Sequence, residues 1–263
     1  MKQRIITAVI AAAIFLPLVI LGKQPFLILV YVMGTIGLSE LIRMKKIRIF
    51  SFPSIISFLL LWLVLLPEQY TILFMDFDYR NIELVLMAVI LLLITTVISK
   101  NKFTFDDAGF LLLSVIYVGM GFFYLYETRE ASLAYVFFAL FTIWATDSGA
   151  YFVGRAIGKR KLWPEISPNK TVEGFFGGIA SSMIVGLLFF IFNGLDSSLV
   201  TLLIMSVLIS IFGQLGDLVQ SAFKRHYGVK DAGKLLPGHG GILDRLDSLI
   251  FILPILHLLH LVD

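Results

Sequence analysis

The chain has 263 residues, of which 59% are hydrophobic and 15% charged, and its mean hydropathy is +0.94. A soluble domain carries about 25% charged residues, so this composition excludes an ordinary water-soluble globule and points to lipid as the solvent. Cysteine is absent, which excludes disulfides and thiolate zinc sites, and the net charge of +3 forms no aromatic-basic surface of the kind that binds nucleic acid.

A helix that crosses a bilayer needs about 20 mostly apolar residues. Nine stretches approach that length: 5–22, 25–42, 52–67, 81–99, 108–127, 131–154, 174–192, 199–223 and 243–262. The expected fold is therefore an all-α polytopic membrane protein with about nine transmembrane helices. The first stretch follows Met1-Lys2-Gln3-Arg4 but has a long apolar run and no small-x-small cleavage site, so it reads as a retained helix.

Basic residues crowd alternate connections. One set holds Lys2 and Arg4; Arg43, Lys45, Lys46 and Arg48; Lys100 and Lys102; Arg155, Lys159, Arg160, Lys161 and Lys170; and Lys224, Arg225, Lys230, Lys234 and Arg245. Of the 21 Lys and Arg, only Lys23, Arg80 and Arg129 fall in the other set. The positive-inside rule then predicts an N-terminus inside, a C-terminus outside and cytoplasmic segments at 155–173 and 224–242. The first five spans contain almost no buried charge. Residues 1–130 therefore read as a mainly structural half and 131–263 as the half that carries the site.

Within that second half, span 6 contains Thr146-Asp147-Ser148-Gly149-Ala150-Tyr151, with Asp147 and Tyr151 on one face. A carboxylate inside a membrane segment is a site candidate by default. The basic segment that follows sets topology at Lys159–Lys161, whereas Ser167-Pro168-Asn169-Lys170-Thr171-Val172-Glu173-Gly174 mixes a rigid turn with donors and one acid. In span 7, Gly174, Gly178, Ser182 and Gly186 recur every four residues, which permits close helix contact within a protomer or across a dimer.

Span 8 places Gln214, Asp217, Ser221 and Lys224 on one stripe, followed by Arg225. Gln214 and Ser221 alone read as helix glue; Asp217 followed by two cations reads as functional. Lys230-Asp231 and the turn Pro237-Gly238-His239-Gly240-Gly241 come next. Glycines let main-chain N–H groups approach phosphates, although such a turn alone is a weak signal. Span 9 opens Asp244-Arg245-Leu246-Asp247, with both carboxylates on one face. The helix macrodipole explains Asp244 but reaches Asp247 less well. Asp217, Asp244 and Asp247 are thus expected to converge on one Mg2+. His257 and His260 read as outer-interface residues without partners.

The run Ser221-x-Phe-Lys-Arg…Lys-Asp…Pro-Gly-His-Gly-Gly-Ile-x-Asp-Arg-Leu-Asp247 resembles the signature of the phosphatidate cytidylyltransferase (CDP-diacylglycerol synthase) family. Asp147–Tyr151 and Ser167–Gly174 resemble that family as well, and together the motifs cover about a third of the chain. The resemblance implies transfer of a cytidylyl group from CTP to phosphatidic acid, giving CDP-diacylglycerol and pyrophosphate in phospholipid biosynthesis. It also implies Mg2+ held by Asp217, Asp244 and Asp247, a second monovalent cation such as K+, and a homodimer. The enzyme would be multi-pass in the cell membrane, with its site open to the cytoplasm.

Residue chemistry fits this reading. Lys224, Arg225 and Arg245 are suited to neutralising phosphate charge, with Lys170, Lys230 and His239 as further phosphate ligands and Asp231 orienting a neighbouring cation. Asp147, Thr171, Ser221, Gly240 and Gly241 are the remaining candidates for lining the substrates. A CTP-dependent polyprenol or phytol kinase and an ion-coupled transporter are the alternatives. The Lys-Asp…His-Gly-Gly…Asp-Arg-x-Asp run argues against the first, and no inverted repeat supports the second.

Overall fold

The computed structural model describes residues 2–67 and 81–262, so Arg80 lies outside the described residues. Each apolar stretch is a helix: α1 (Lys2–Leu21), α2 (Lys23–Met44), α3 (Phe52–Val64), α4 (Asn81–Ile98), α5 (Phe105–Ala131), α6 (Leu133–Ile157), α7 (Val172–Ile191), α8 (Leu199–His226) and α9 (Leu243–Leu258). Five of them, α2, α5, α6, α7 and α8, are long and apolar enough to cross a membrane. The apolar parts of α1, α3 and α4 are shorter, and α9 has 16 residues with Asp244, Arg245 and Asp247 at its start. The chain is a multi-pass helical membrane protein.

Local chemistry sets the boundaries. Thr104, Ser132, Thr171 and Ser198 each cap the helix that follows, and Thr104 with Asp107 forms a capping box. Gly22 turns the chain from α1 to α2 at φ 65°, and Arg129 from α5 closes that turn by donating to the Val19 and Ile20 carbonyls. One feature departs from an all-α fold. Between α6 and α7 the chain forms an antiparallel hairpin, β1 (Lys161–Trp163) and β2 (Ser167–Thr171), with Lys161 opposite Thr171. Pro164 and Pro168 forbid a helix there, so the backbone groups pair across the turn instead.

The closest packing is between α6 and α7. Gly177 lies against Val153, where a Cβ would come within 2.5 Å of that valine's Cβ, and Gly178 lies against Thr146. Gly186 faces Leu202 and Ser206 of α8. The small-residue stripe of α7 therefore serves contacts within the protomer. Helix α9 is packed between α5 and α8 over a core that includes Phe122, Leu125 and Ile250.

The basic connections gather at one end of the bundle. Thr7 of α1 donates to the Pro237 carbonyl at 3.0 Å, Lys45 pairs with Asp107 at 3.4 Å and sits near the Tyr227 ring, and Arg225 donates to the Ile166 carbonyl at 3.3 Å. At the other end Lys23 meets Glu130 through its backbone N–H, and His257 shares a 2.9 Å hydrogen bond with Thr128. His257 thus has a partner, contrary to expectation, because α9 lies directly against α5. His260 is exposed.

Candidate active site

Three adjoining cavities lie where the basic connections meet. The central one, about 490 Å³, is lined by Asp147 from α6, Asp217 and Lys224 from α8, and Asp244, Arg245 and Asp247 from α9. The charge of Asp217 acts on both Asp147 and Asp247. Asp247 is 9% exposed and accepts the Ser248 N–H, while Asp147 is open to the cavity.

Two lysines rest on these carboxylates. Lys170 of β2 places Nζ 2.5 Å from Asp217 Oδ2, and Lys224 places Nζ 2.7 Å from Asp244 Oδ1. The other Asp244 oxygen accepts the Ala232 N–H at 2.7 Å and the Gly241 N–H at 2.9 Å. The Asp244 side chain is only 3% exposed. It ties together the end of α8, the loop after it and the start of α9. Asp217, Asp244 and Asp247 do line one cavity, but both oxygens of Asp244 are engaged. Among the described residues no three carboxylate or imidazole groups are already gathered at metal-binding distance. Asp147, which sequence reasoning assigned to substrate, faces the central cavity with Asp217 and Asp247.

The second cavity, about 480 Å³, is lined by Lys230, Asp231, Lys234, His239, Gly240 and Arg245 among others. Here the glycine turn differs from expectation. The His239 and Gly240 N–H groups both bond the Leu236 carbonyl, at 2.8 and 3.0 Å, and the Gly241 N–H goes to Asp244. Those main-chain donors are consumed inside the turn, and Gly240 is required there by its φ of 88° and by its approach to Asp244. The cationic and imidazole side chains that line this cavity are those of Lys230, Lys234, Arg245 and His239. The His239 carbonyl accepts from Arg245 Nε at 2.9 Å, and its Nδ1 is buried without a hydrogen bond among the described residues.

A third cavity, about 400 Å³, is lined by Tyr151, Arg155, Lys170, Thr171, Phe175 and Gln214 and shares Asp147 with the central one. Thr171 is among its lining residues, but the side chain is buried and its Oγ1 accepts the Gly174 N–H, capping α7. Gln214 donates to the Phe175 and Ser210 carbonyls, which is the helix-gluing role. Ser221 is half-buried and lines none of the three cavities. Nor does Arg225, which is exposed and holds the hairpin through Ile166.

One residue was missed altogether. Glu40 of α2 is 3% exposed, an exception to the reading that the first five spans hold almost no buried charge. Its two oxygens accept the Ile242 and Leu243 N–H groups at 2.9 and 3.0 Å, capping a helix whose own N-cap residue, Ile242, offers no side-chain acceptor. A lone acid in an apolar span is a signal, but its partners lie 202 and 203 residues away.

The Cytidylyltransferase family model matches residues 2–262. The phosphatidate cytidylyltransferase of Bacillus subtilis (strain 168) is 55% identical over 263 residues, covering 98% of this chain and 97% of the relative. Proteins of the same name from Staphylococcus saprophyticus and Staphylococcus haemolyticus are 51% and 48% identical over 259 residues, covering 98% of both chains in each case. With likeness running from the first helix to the last, the chain belongs to the cytidylyltransferase family.

Proposed function

We propose that this protein transfers a cytidylyl group from CTP to phosphatidic acid, releasing CDP-diacylglycerol and pyrophosphate. The observation that carries the reading is the carboxylate–lysine cavity at one end of an apolar helix bundle. A water-soluble nucleotide and a membrane lipid can meet there. The near full-length relatives support the same reaction.

A phosphate oxygen of the lipid attacks the α-phosphorus of CTP, and the bond from that phosphorus to the bridging oxygen breaks as pyrophosphate leaves. The attacking phosphomonoester already carries about −1.5 to −2 charge at neutral pH, so no protein base is needed. The obstacle is electrostatic, because two anions must be brought together and a third must depart. Lys224, Arg245, Lys230 and Lys234 surround the central and second cavities and answer that charge. His239 is a further candidate ligand of phosphate, and Asp231 lines the same cavity beside Lys230 and Lys234. Lys170 stands between the central and third cavities, where lipid phosphate would enter past Tyr151 and Phe175.

The donor set also suits Mg2+. That ion takes one or two carboxylates with waters and phosphate oxygens, and Asp217 and Asp247 offer such a pair with Asp147 beside them. When bound, Mg2+ would neutralise and align the triphosphate. Lys170 rests on Asp217 and Lys224 on Asp244, each within reach of the central cavity, where its ammonium would meet phosphate. Asp244 would join the metal only by giving up Lys224. A second, monovalent cation and a homodimer are proposed on the family resemblance alone.

We further propose nine spans with the N-terminus in the cytoplasm and the C-terminus outside, in the cell membrane, with the site facing the cytoplasm. The distribution of Lys and Arg supports this, as does the gathering of the basic connections at one end. In this arrangement α6–α9 carry the chemistry and residues 1–130 brace it, with α2 contributing Glu40. The test of the reaction is purified protein with labelled CTP and phosphatidic acid, followed by lipid extraction and mass analysis. A lipid containing cytidine and two phosphates is expected. A phosphorylated alcohol without cytidine would assign a kinase, and no labelled product would overturn the proposal.

A further inference from the structure

Glu40 is a buried carboxylate with no part in the transfer as described, yet it is built into the site. It lies near the end of α2, and its oxygens take the first free N–H groups of α9. Those are the positive end of a helix that carries Arg245 and Asp247 into the central cavity. The surroundings are shaped to the carboxylate. A Cβ on Gly241 would stand 2.5 Å from both Glu40 Cδ and Oε2, and one on Gly233 would stand 2.7 Å from Glu40 Cδ. Gly233 and Gly241 flank the turn that lines the second cavity. That turn is closed on its other side by Asp244, through Ala232 and Gly241.

The geometry points to Glu40 as a positioning residue for cytidylyl transfer: from α2 it fixes where α9 begins and so where Arg245 and Asp247 stand. The inference rests on the proposed reaction. Its logic is local. Two adjacent N–H groups need two acceptors, and a carboxylate supplies both, whereas an amide supplies one acceptor and turns a second donor toward a donor. The Gly241 requirement follows from the same contact, because any side chain there occupies the space of the carboxylate. Glu40 lines none of the three cavities; it acts through α9.

The experiment uses full-length protein in detergent and follows CDP-diacylglycerol formation for wild type, Glu40→Gln, Glu40→Ala, Gly241→Ala and the Glu40→Ala/Gly241→Ala double variant. Glu40→Gln is expected to lower kcat about tenfold or more while both KM values stay within about threefold, because the reacting groups are displaced and the substrate-binding cations are not removed. Gly241→Ala should be severely impaired, and the double variant should be no worse than Glu40→Ala alone, since removing the carboxylate makes room for the methyl group. Hydrogen exchange of Glu40→Gln should speed up across 232–247 and stay unchanged across 111–126 of α5. Wild-type kcat in Glu40→Gln, full additivity in the double variant, or faster exchange throughout the bundle would overturn the inference. An inactive wild-type protein would instead overturn the reaction.

Discussion

Lys170 and Lys224 hold carboxylates that a divalent cation would also claim, and the two pairs differ in what else depends on them. The Asp244 side chain is 3% exposed and carries two further N–H bonds, whereas that of Asp217 is 38% exposed and pairs with Lys170. Asp244→Ala should therefore destabilise the protein by about 3–5 kcal/mol, the cost of leaving a buried partner unpaired, and lower its thermal midpoint in detergent along with turnover. Asp217→Ala should leave that midpoint nearly unchanged. Equal midpoints for the two variants would show that Asp244 does not hold the loop. Arg225 makes a different case. It lies outside the three cavities and anchors the hairpin through the Ile166 carbonyl. Kinetics of Arg225→Lys and Arg225→Ala beside an exposed control, Lys102→Ala, decide its role. Retention of most turnover by Arg225→Lys, with partial loss in Arg225→Ala, is expected of an anchor. Loss of turnover in Arg225→Lys comparable to that in Arg225→Ala would return the residue to phosphate binding, where a planar fork and a point charge are not equivalent.

At the scale of elements, the contact of Gly177 with Val153 and the cap before α7 are points where single changes should tell. Gly177→Val places methyl groups inside Val153 and should destabilise the α6–α7 pair by about 1–3 kcal/mol, read as a lowered midpoint. Thr171→Ala removes the α7 cap and should cost about 1 kcal/mol, with Thr171→Ser restoring it. A Thr171→Ser variant that is stable yet catalytically dead would mean that the methyl group meets substrate. The helices themselves were legible because apolar runs of this length have few other uses, and their polar interruptions fall at the turns. The β1–β2 hairpin was not legible: its strands are three and five residues long and lie in a segment whose basic residues already had a reason to be there. The face shared by Asp217 and Lys224 was readable from helical spacing. The engagement of Asp244 with Ala232 and Gly241 was not, because a main-chain donor leaves no trace in residue identity. Glu40 illustrates the same limit across the whole chain, since nothing local to α2 says which helix it caps.

For the molecule as a whole, the proposed topology makes a simple prediction because the chain has no cysteine. A cysteine placed at Lys159 or Lys234 should resist an impermeant reagent applied to intact cells, and one at exposed Asp196, between α7 and α8, should react. The reverse pattern would invert the orientation. The carboxylate cavity as the place of reaction is the claim on which everything else depends. Its most direct test is the rate of CDP-diacylglycerol formation from CTP and phosphatidic acid by purified wild type and Asp217→Asn over a range of Mg2+ concentrations. The account predicts a wild-type rate that requires Mg2+, and a properly folded Asp217→Asn whose rate is lower by on the order of 10²-fold or more at every concentration. A wild-type rate indifferent to Mg2+, or an Asp217→Asn rate close to that of wild type, would contradict it.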